Sequence, residues 1–333
     1  MDTVLSPQDR DLKTIPLIDV GADGPLTLLD AVPEHLARII AHGEDHYGST
    51  ALRVGDGLSR RWLKRTRNPY IAEIDAVAAR IGGPGAYLLN LSFEWTCTAG
   101  VGPDPSGDGN RMLRTLDWPL DGLGENLIVA RHETDVGPYY DLTWPGFVGT
   151  VTAMAPGRFS AAINQPPMHR YTPSCGLDWL IGRARLWWSR ELPPLHLLRR
   201  VFETCRGYDD ARQVLIQTEL AMPAFITLSG LAPDQACVIE RSETWGAVRE
   251  APASVANHWI AGGSGGRIRG VDSAGRWRMM EAVRDSVGDD FSWMQPPILN
   301  PTTRLAAVAN AKTGALLAQG WEADGPATTV FRL

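Results

Sequence analysis

The chain has 333 residues, 44% hydrophobic and 21% charged, enough apolar material for one large α/β or α+β core. Its net charge of −6, with no basic stripe carrying interleaved aromatics, argues against nucleic acid as a partner. The start, "MDTVLSPQDRDLKTIPLIDVG", is acidic and proline-broken, and no run reaches the ~20 apolar residues of a membrane span, so a cytoplasmic protein is expected.

Residues 27–82 read as helical. "LTLLDAVPEHLARIIAHGEDHYG" and "PYIAEIDAVAARIGG" carry apolar residues at three- and four-residue spacing, and Gly-Gly-Pro closes the second. From Ala86 the pattern changes. "AYLLNLSFE", "MLRTLDW", "NLIVARHE", "FVGTVTAMA" and "RFSAAINQ" are short apolar runs divided by Gly, Pro and Asp, as in successive strands. "GPDPSGDGN" (102–110) reads as a loop. Helices return over 177–219, including "YDDARQVLIQTEL". Strands then follow at "AFITLSG", "ACVIERS", "VANHWIAGG", "LAAVANAKTG" and "ATTVFRL", with a helix near "RWRMMEAVRDSV". Two blocks of strands, with helices before and between them, predict two sheets covered by helices.

Several motifs invite a functional reading. His42 and His46 stand four apart on a helix, a metal-gripping spacing, but the glutamate is displaced from the zinc-protease position and no third ligand is indicated; a solvated helix face is expected and no metal. "GGSGG" fits G-x-S-x-G at Ser264, yet the loop-like "RIRGVDSAG" follows it, so a chance match in a Gly-rich connection is expected. The helix over 177–190 sets Trp179, Trp187 and Trp188 beside Arg183, Arg185 and Arg190. Core packing is the favoured account, and contact with a lipid surface is the alternative. Cys97, Cys175, Cys205 and Cys237 form no CxxC pair and read as reduced thiols. Cys97 differs in its company. "RTLDW" places Arg114 and Asp117 three apart, on opposite faces of a strand unless a bulge intervenes, and a guanidinium near a thiol favours thiolate.

The motifs "NLSFEWTCT", "RTLDW", "GFVGTVTAMAPGRFSAAINQ", "MPAFITLSG", "CVIERS", "VANHW" and "TGALLAQG", in this order from about Asn90 onward, resemble the acid ceramidase and N-acylethanolamine acid amidase family. That family lies within the N-terminal-nucleophile hydrolases, which include bile salt hydrolase and penicillin V acylase. The resemblance implies an α+β fold, an αββα sandwich of two stacked, mostly antiparallel sheets covered by helices. It implies self-cleavage between Thr96 and Cys97, leaving residues 1–96 as a small helical subunit and 97–333 as the catalytic core. The freed Cys97 amine, with a reference pKa near ~7.7–8.0, can then take the thiol proton and return it to the leaving amine.

By the same resemblance Arg114 contacts the sulfur, Asp117 binds the α-amine, Asn257 helps form the oxyanion hole, and Arg276 is the late family arginine, with Arg278 as the alternative. The chain departs from the family at three places. "EWTC" is about two residues shorter between Glu94 and the cysteine, Gln165 follows Asn164 where a glutamate is usual, and Met154 replaces the extra asparagine of bile salt hydrolases. The implied activity is hydrolysis of a linear N-acyl amide through a Cys97 thioester, without metal or organic cofactor. Trp118, Trp144, Phe147 and Trp259, with Asn164 and Gln165, are the expected substrate-binding residues, and aromatic walls suit a fatty or aryl acyl group. An acyltransferase using the same thioester and a catalytically silent binding protein are the alternatives. The two fragments are expected to stay associated by core packing, and a homo-oligomer and a transient membrane-surface contact of 177–190 are left open.

Overall fold

The computed structural model describes residues 12–21, 24–91, 95–263 and 265–333. In chain order it runs β1 (Leu17–Asp19), α1 (Pro25–Ala31), α2 (Pro33–Tyr47), α3 (Ser49–Arg65), α4 (Ile71–Ile81), α5 (Ala86–Asn90), β2 (Thr96–Pro103) and β3 (Asn110–Asp117). Then come β4 (Ile128–His132), β5 (Tyr139–Thr143), β6 (Thr152–Ala155), β7 (Phe159–Asn164), β8 (Met168–His169), α6 (Cys175–Trp188), α7 (Pro194–Thr204) and α8 (Tyr208–Gln217). The last third holds β9 (Ala224–Ser229), β10 (Ala236–Arg241), β11 (Gly246–Glu250), β12 (Ala253–Val255), β13 (Gly266–Arg267), α9 (Ser273–Val283), β14 (Thr303–Asn310), β15 (Ala315–Glu322), β16 (Gly325–Pro326) and β17 (Phe331–Arg332).

The larger sheet has the order β1-β4-β5-β6-β7-β9-β10-β11, antiparallel except for the β1–β4 pair. The second has the order β12-β2-β3-β14-β15-β16, with β17 also on β15. β2 and β3 lie against β7 and β9, so the sheets stack face to face. α7 and α8 cover the larger sheet and α9 covers the second, which completes four layers. Being covered on both faces explains the sequence pattern. "TCTAGVG", "FSAAIN" and "AFITLS" are buried at every position, so they read as continuous small and apolar runs rather than alternating ones. Gly100 of β2 has a reason to lack a side chain, since a Cβ there would stand 2.9 Å from the Met280 side chain of α9.

The predicted helices over 27–82 and 177–219 are present as α1–α4 and α6–α8. The strand expected at "AYLLNLSFE" is corrected. Ala86–Asn90 is a short helix, because Asp56, thirty residues earlier on α3, accepts from the N–H groups of Gly85 (2.7 Å) and Leu88 (2.8 Å) and caps it in trans. Residues 92–94, including Glu94, lie outside the described residues. The strand begins at Thr96, so Cys97 opens it instead of closing an apolar run. "VANHWIAGG" is extended only through Val255, and "ATTVFRL" only at Phe331–Arg332. Tyr139–Thr143 and Gly246–Glu250 are strands that the pattern misses. Among the described residues no helix is long and apolar enough to cross a membrane.

Candidate active site

Register decides which side chains meet at Cys97. β2 pairs with β3 so that Cys97 faces Leu116, Ala99 faces Arg114 and Thr96 faces Asp117. Residues directly opposite share a face. Cys97 and Arg114 therefore point into the space between the sheets, while Thr96, Thr98 and Asp117 point toward α9. The predicted alternation of Arg114 and Asp117 holds, and both still reach the cysteine, one from each side of the strand.

On the inner side Arg114 is fully buried. Its Nη2 donates to the Ile163 carbonyl at 2.7 Å, its Nη1 to Asn164 Oδ1 at 2.6 Å and its Nε to Thr152 Oγ1 at 3.3 Å. Cys97 Sγ lies 3.7 Å from the same Ile163 carbonyl. Burial pushes the thiol up to about 11, with Arg114 pulling in the opposite direction. The thiolate expected from the arginine alone is thus overruled in the continuous chain, where desolvation is the larger effect.

On the outer side Arg276 of α9 donates from Nη1 to the Cys97 carbonyl (2.7 Å) and Thr98 Oγ1 (2.9 Å) and from Nη2 to Asn257 Oδ1 (2.9 Å). The same Nη1 stands 3.5 Å from Asp117 Oδ2. Arg278 is exposed, so Arg276 is the arginine at the site. Asp117 Oδ1 accepts from Thr303 Oγ1 at 2.9 Å, whereas its Oδ2 has no hydrogen-bond donor although buried. Burial raises the Asp117 carboxyl above its usual range, opposed chiefly by Arg276.

Asn257 ties the two sides together. Its Oδ1 accepts from the Cys97 N–H at 3.0 Å and from Arg276, and its Nδ2 donates to the Gln165 carbonyl at 2.7 Å. Both neighbours of Oδ1 are donors, which fixes the orientation of the amide. The Asn257 N–H donates to Ser273 Oγ, at the first turn of α9, at 2.8 Å. Gln165 is buried with neither side-chain amide atom bonded, and it borders a cavity of about 550 Å³. Met168, Tyr171, Trp179, Leu186 and Met222 supply apolar wall, and Arg183, Arg269 and Glu243 add charge.

The sequence-predicted residues Cys97, Arg114, Asp117, Asn164, Gln165, Asn257 and Arg276 therefore converge. Of these only Gln165 lines the cavity, and none of the aromatic candidates does. Trp118, Trp144 and Phe147 are buried around a separate space of about 50 Å³ under α2 and α3, beside Leu36, Ile39 and Leu52. Trp259 packs on Phe225 (4.7 Å between ring centroids) and Trp245 (5.6 Å). The core packing favoured for the Trp-rich helix holds for Trp187, half-buried against the core with Leu186, and is corrected for Trp179 and Trp188. Leu177, Trp179, Leu180 and Trp188 are exposed, Trp188 at 77%, and the fully buried residue of α6 is Asp178. Asp178 earns its burial through the N–H groups of Tyr171 and Thr172 and through Arg267. Met154 is buried on β6. His42 sets its ring against Gly122, and Ser264 lies outside the described residues. Sequence reasoning passes over Ser273, Thr303 and Glu240; for Glu240 the signal was present as a carboxylate inside the apolar run "ACVIERS".

No family model matches the chain. Over 197 residues, 52% of this chain and 47% of the relative, it is 30% identical to the acid ceramidase of Macaca fascicularis. The acid ceramidase of Homo sapiens matches with the same figures. Over that stretch the chain is similar to the acid ceramidases. It spans about half the length of these curated relatives. The solved structure of a Caenorhabditis elegans N-acylethanolamine-hydrolyzing acid amidase ortholog matches with a TM-score of 0.51 at 18% identity, covering 71% of this chain and all of that one. The chain thus shares the fold of that structure, a sandwich of two stacked sheets covered by helices, as its motifs imply.

Proposed function

We propose that the protein is an amidohydrolase that cuts itself between Thr96 and Cys97 and then cleaves a linear N-acyl amide through a Cys97 thioester. The observation that carries this reading is the set of partners around Cys97: its N–H on Asn257 Oδ1, its carbonyl on Arg276, and the undonated Asp117 Oδ2 one strand away. Asp117 Oδ2 has only the 3.5 Å approach of Arg276, and an ammonium at Cys97 would give it a closer cationic donor. The relation to acid ceramidases and the shared fold support the same class of chemistry.

In the first step the sulfur attacks the Thr96 carbonyl carbon, the Thr96–Cys97 C–N bond breaks, and the thiol proton passes to the leaving nitrogen. Water then hydrolyses the thioester, freeing the Thr96 carboxyl and the thiol. In turnover the Cys97 amine takes the thiol proton, the sulfur attacks the substrate carbonyl, the amide C–N bond breaks and the same proton goes to the leaving amine. Water then attacks the thioester, the Cys97 amine passing the water's proton to the sulfur as the acid leaves. Asn257 Nδ2 points to the Gln165 side, where the large cavity lies, and a developing oxyanion there would replace the Gln165 carbonyl as its partner. Fatty acyl groups suit the cavity's apolar wall. The exposed Leu177, Trp179, Leu180 and Trp188 of α6, which shares that wall, support delivery from a lipid surface.

Contacts across the cut support retention of residues 1–96. Trp62 Nε1 donates to the Leu186 carbonyl at 2.8 Å, Asn68 Nδ2 to His196 Nδ1 at 2.9 Å, and Arg199 holds Glu73 through both carboxylate oxygens. The test is denaturing mass spectrometry after incubation from acid to neutral pH, beside Cys97→Ala. Wild type is expected to split between Thr96 and Cys97 while the variant stays whole. If both stay whole at every pH, the amine base is missing and the reading falls. Added amines that capture the acyl group in place of water would instead establish transfer.

A further inference from the structure

One rung of the larger sheet grips both sides of the Asn257 segment. Asn164 on β7, Phe225 on β9 and Glu240 on β10 are directly paired across neighbouring strands, Asn164 with Phe225 and Phe225 with Glu240. They therefore share the inner face, the one on which Asn164 meets Arg114. Asn164 Nδ2 donates to the carbonyls of Val255 (3.3 Å) and Ala256 (3.2 Å), just before Asn257. Glu240 Oε2 accepts from the N–H groups of Ile260 (3.0 Å) and Ala261 (3.1 Å), just after it. Between them Trp259 seats its ring edge-on against Phe225, the middle residue of the rung.

This segment needs such a grip. β12 ends at Val255, whose pairing with Ala99 is the last rung of ladder before Asn257. Beyond it the backbone groups have left the sheet and require other partners. Glu240 is fully buried, and its remaining oxygen accepts from Arg249 Nε at 2.9 Å, while Arg249 Nη2 donates to the Ser254 carbonyl at 2.6 Å. A buried carboxylate placed there, aimed at two successive amides and backed by an arginine that returns to the same segment, has no part in the proton transfers of the site.

We infer that Glu240 is a positioning residue: with Asn164 it clamps residues 255–261 and so sets Asn257 against the Cys97 nitrogen and the substrate carbonyl. The inference about Asn257's catalytic setting rests on the proposed amidase reading; the clamp itself does not. Two readouts keep them apart. Hydrogen exchange of the full-length protein should show the peptide spanning 257–263 losing protection in Glu240→Ala, and less so in Glu240→Gln, with β2 and β9 unchanged. Unchanged protection at 257–263 overturns the clamp whatever the activity.

The second readout is turnover of the N-dodecanoyl amide of 4-nitroaniline. Glu240→Ala should lower kcat by about tenfold or more with KM little changed, as misplacing a catalytic group does, and Glu240→Gln should recover part of it. In an Asn257→Ala background the same Glu240→Ala change should cost almost nothing further, because both act through one amide. Losses that multiply would show that Glu240 acts elsewhere and overturn the positioning role. A wild type that never turns over would sink the amidase reading and leave hydrogen exchange to decide the clamp.

Discussion

Two buried charge clusters in this molecule are built to different standards. Arg199 on α7 is surrounded: Nη1 and Nη2 reach Glu73, Nε reaches Glu203 at 2.8 Å, Nη1 also meets the Val148 carbonyl, and Tyr70 lies beneath the guanidinium while its hydroxyl closes on Glu203 at 2.6 Å. The neighbouring His196 is kept neutral by burial, its pKa lowered to about 3. Around Cys97 the groups are as deeply buried, yet Asp117 Oδ2 lacks a donor, the thiol makes only a long contact, and the Gln165 amide is unbonded. Every guanidinium nitrogen of Arg199 is bonded and ties residues 1–96 to the rest, although His196 Nε2 beside it has no partner. Incomplete satisfaction at Asp117 and Gln165 leaves bonding capacity for atoms that arrive later, which the proposed chemistry requires.

The comparison is sharpened most by Asn257→Ala. If Asn257 is the proposed oxyanion donor, its loss should lower kcat by ~10²–10³ while stranding its buried partners costs only about 1–3 kcal/mol of stability, measured by steady-state kinetics beside calorimetry. A fall in stability with kcat little changed would class Asn257 with the structural cluster. Arg199→Met should do the reverse. Stranding Glu203 and Glu73 should cost about 3 kcal/mol in chemical unfolding, toward the low end because Glu73 keeps 34% of its side chain in water, and should weaken retention of the N-terminal segment on a sizing column.

Asp141 gives the most pointed test, since it is incompletely bonded but has no nucleophile beside it. Thr150 donates to its Oδ2 while Oδ1 has no partner, and burial raises its pKa to about 7 from 3.8. Between those values the folded protein keeps a proton that the unfolded chain has lost. Stability should therefore fall as pH rises from about 4 to 7, by at most about 1.4 kcal/mol per pH unit. Asp141→Asn should flatten that slope in thermal melts without touching kcat; an unflattened slope would assign the pH dependence elsewhere.

Much of this was legible beforehand. The helices over 27–82, the two strand blocks, and Cys97 with Arg114, Asp117, Asn257 and Arg276 all follow from local pattern or from motif order. What escaped depends on distant partners. Asp56 turns "AYLLN" into a helix, and Asp178 supplies the fully buried side chain of α6 where Trp179 and Trp188 were expected to pack. Trp118 and Trp144 were readable as site aromatics only because sequence adjacency to Asp117 and "GFVGT" cannot tell which cavity a ring borders. The clamp from Glu240 needed the register of three strands before its target could be named.

The strand that begins at Thr96 has one more consequence. Its first pair is Thr96 with Asp117, and seven pairs follow before Pro103 ends the ladder opposite Asn110. A cut between Thr96 and Cys97 removes only that first pair, so the new chain end starts inside a strand already zipped to its neighbour. Chain ends ordinarily fray, and fixing a residue costs about 1–2 kcal/mol in backbone entropy. If the chain cuts itself as proposed, that ordering is accomplished during folding, while the backbone is still continuous, and the new terminus inherits it.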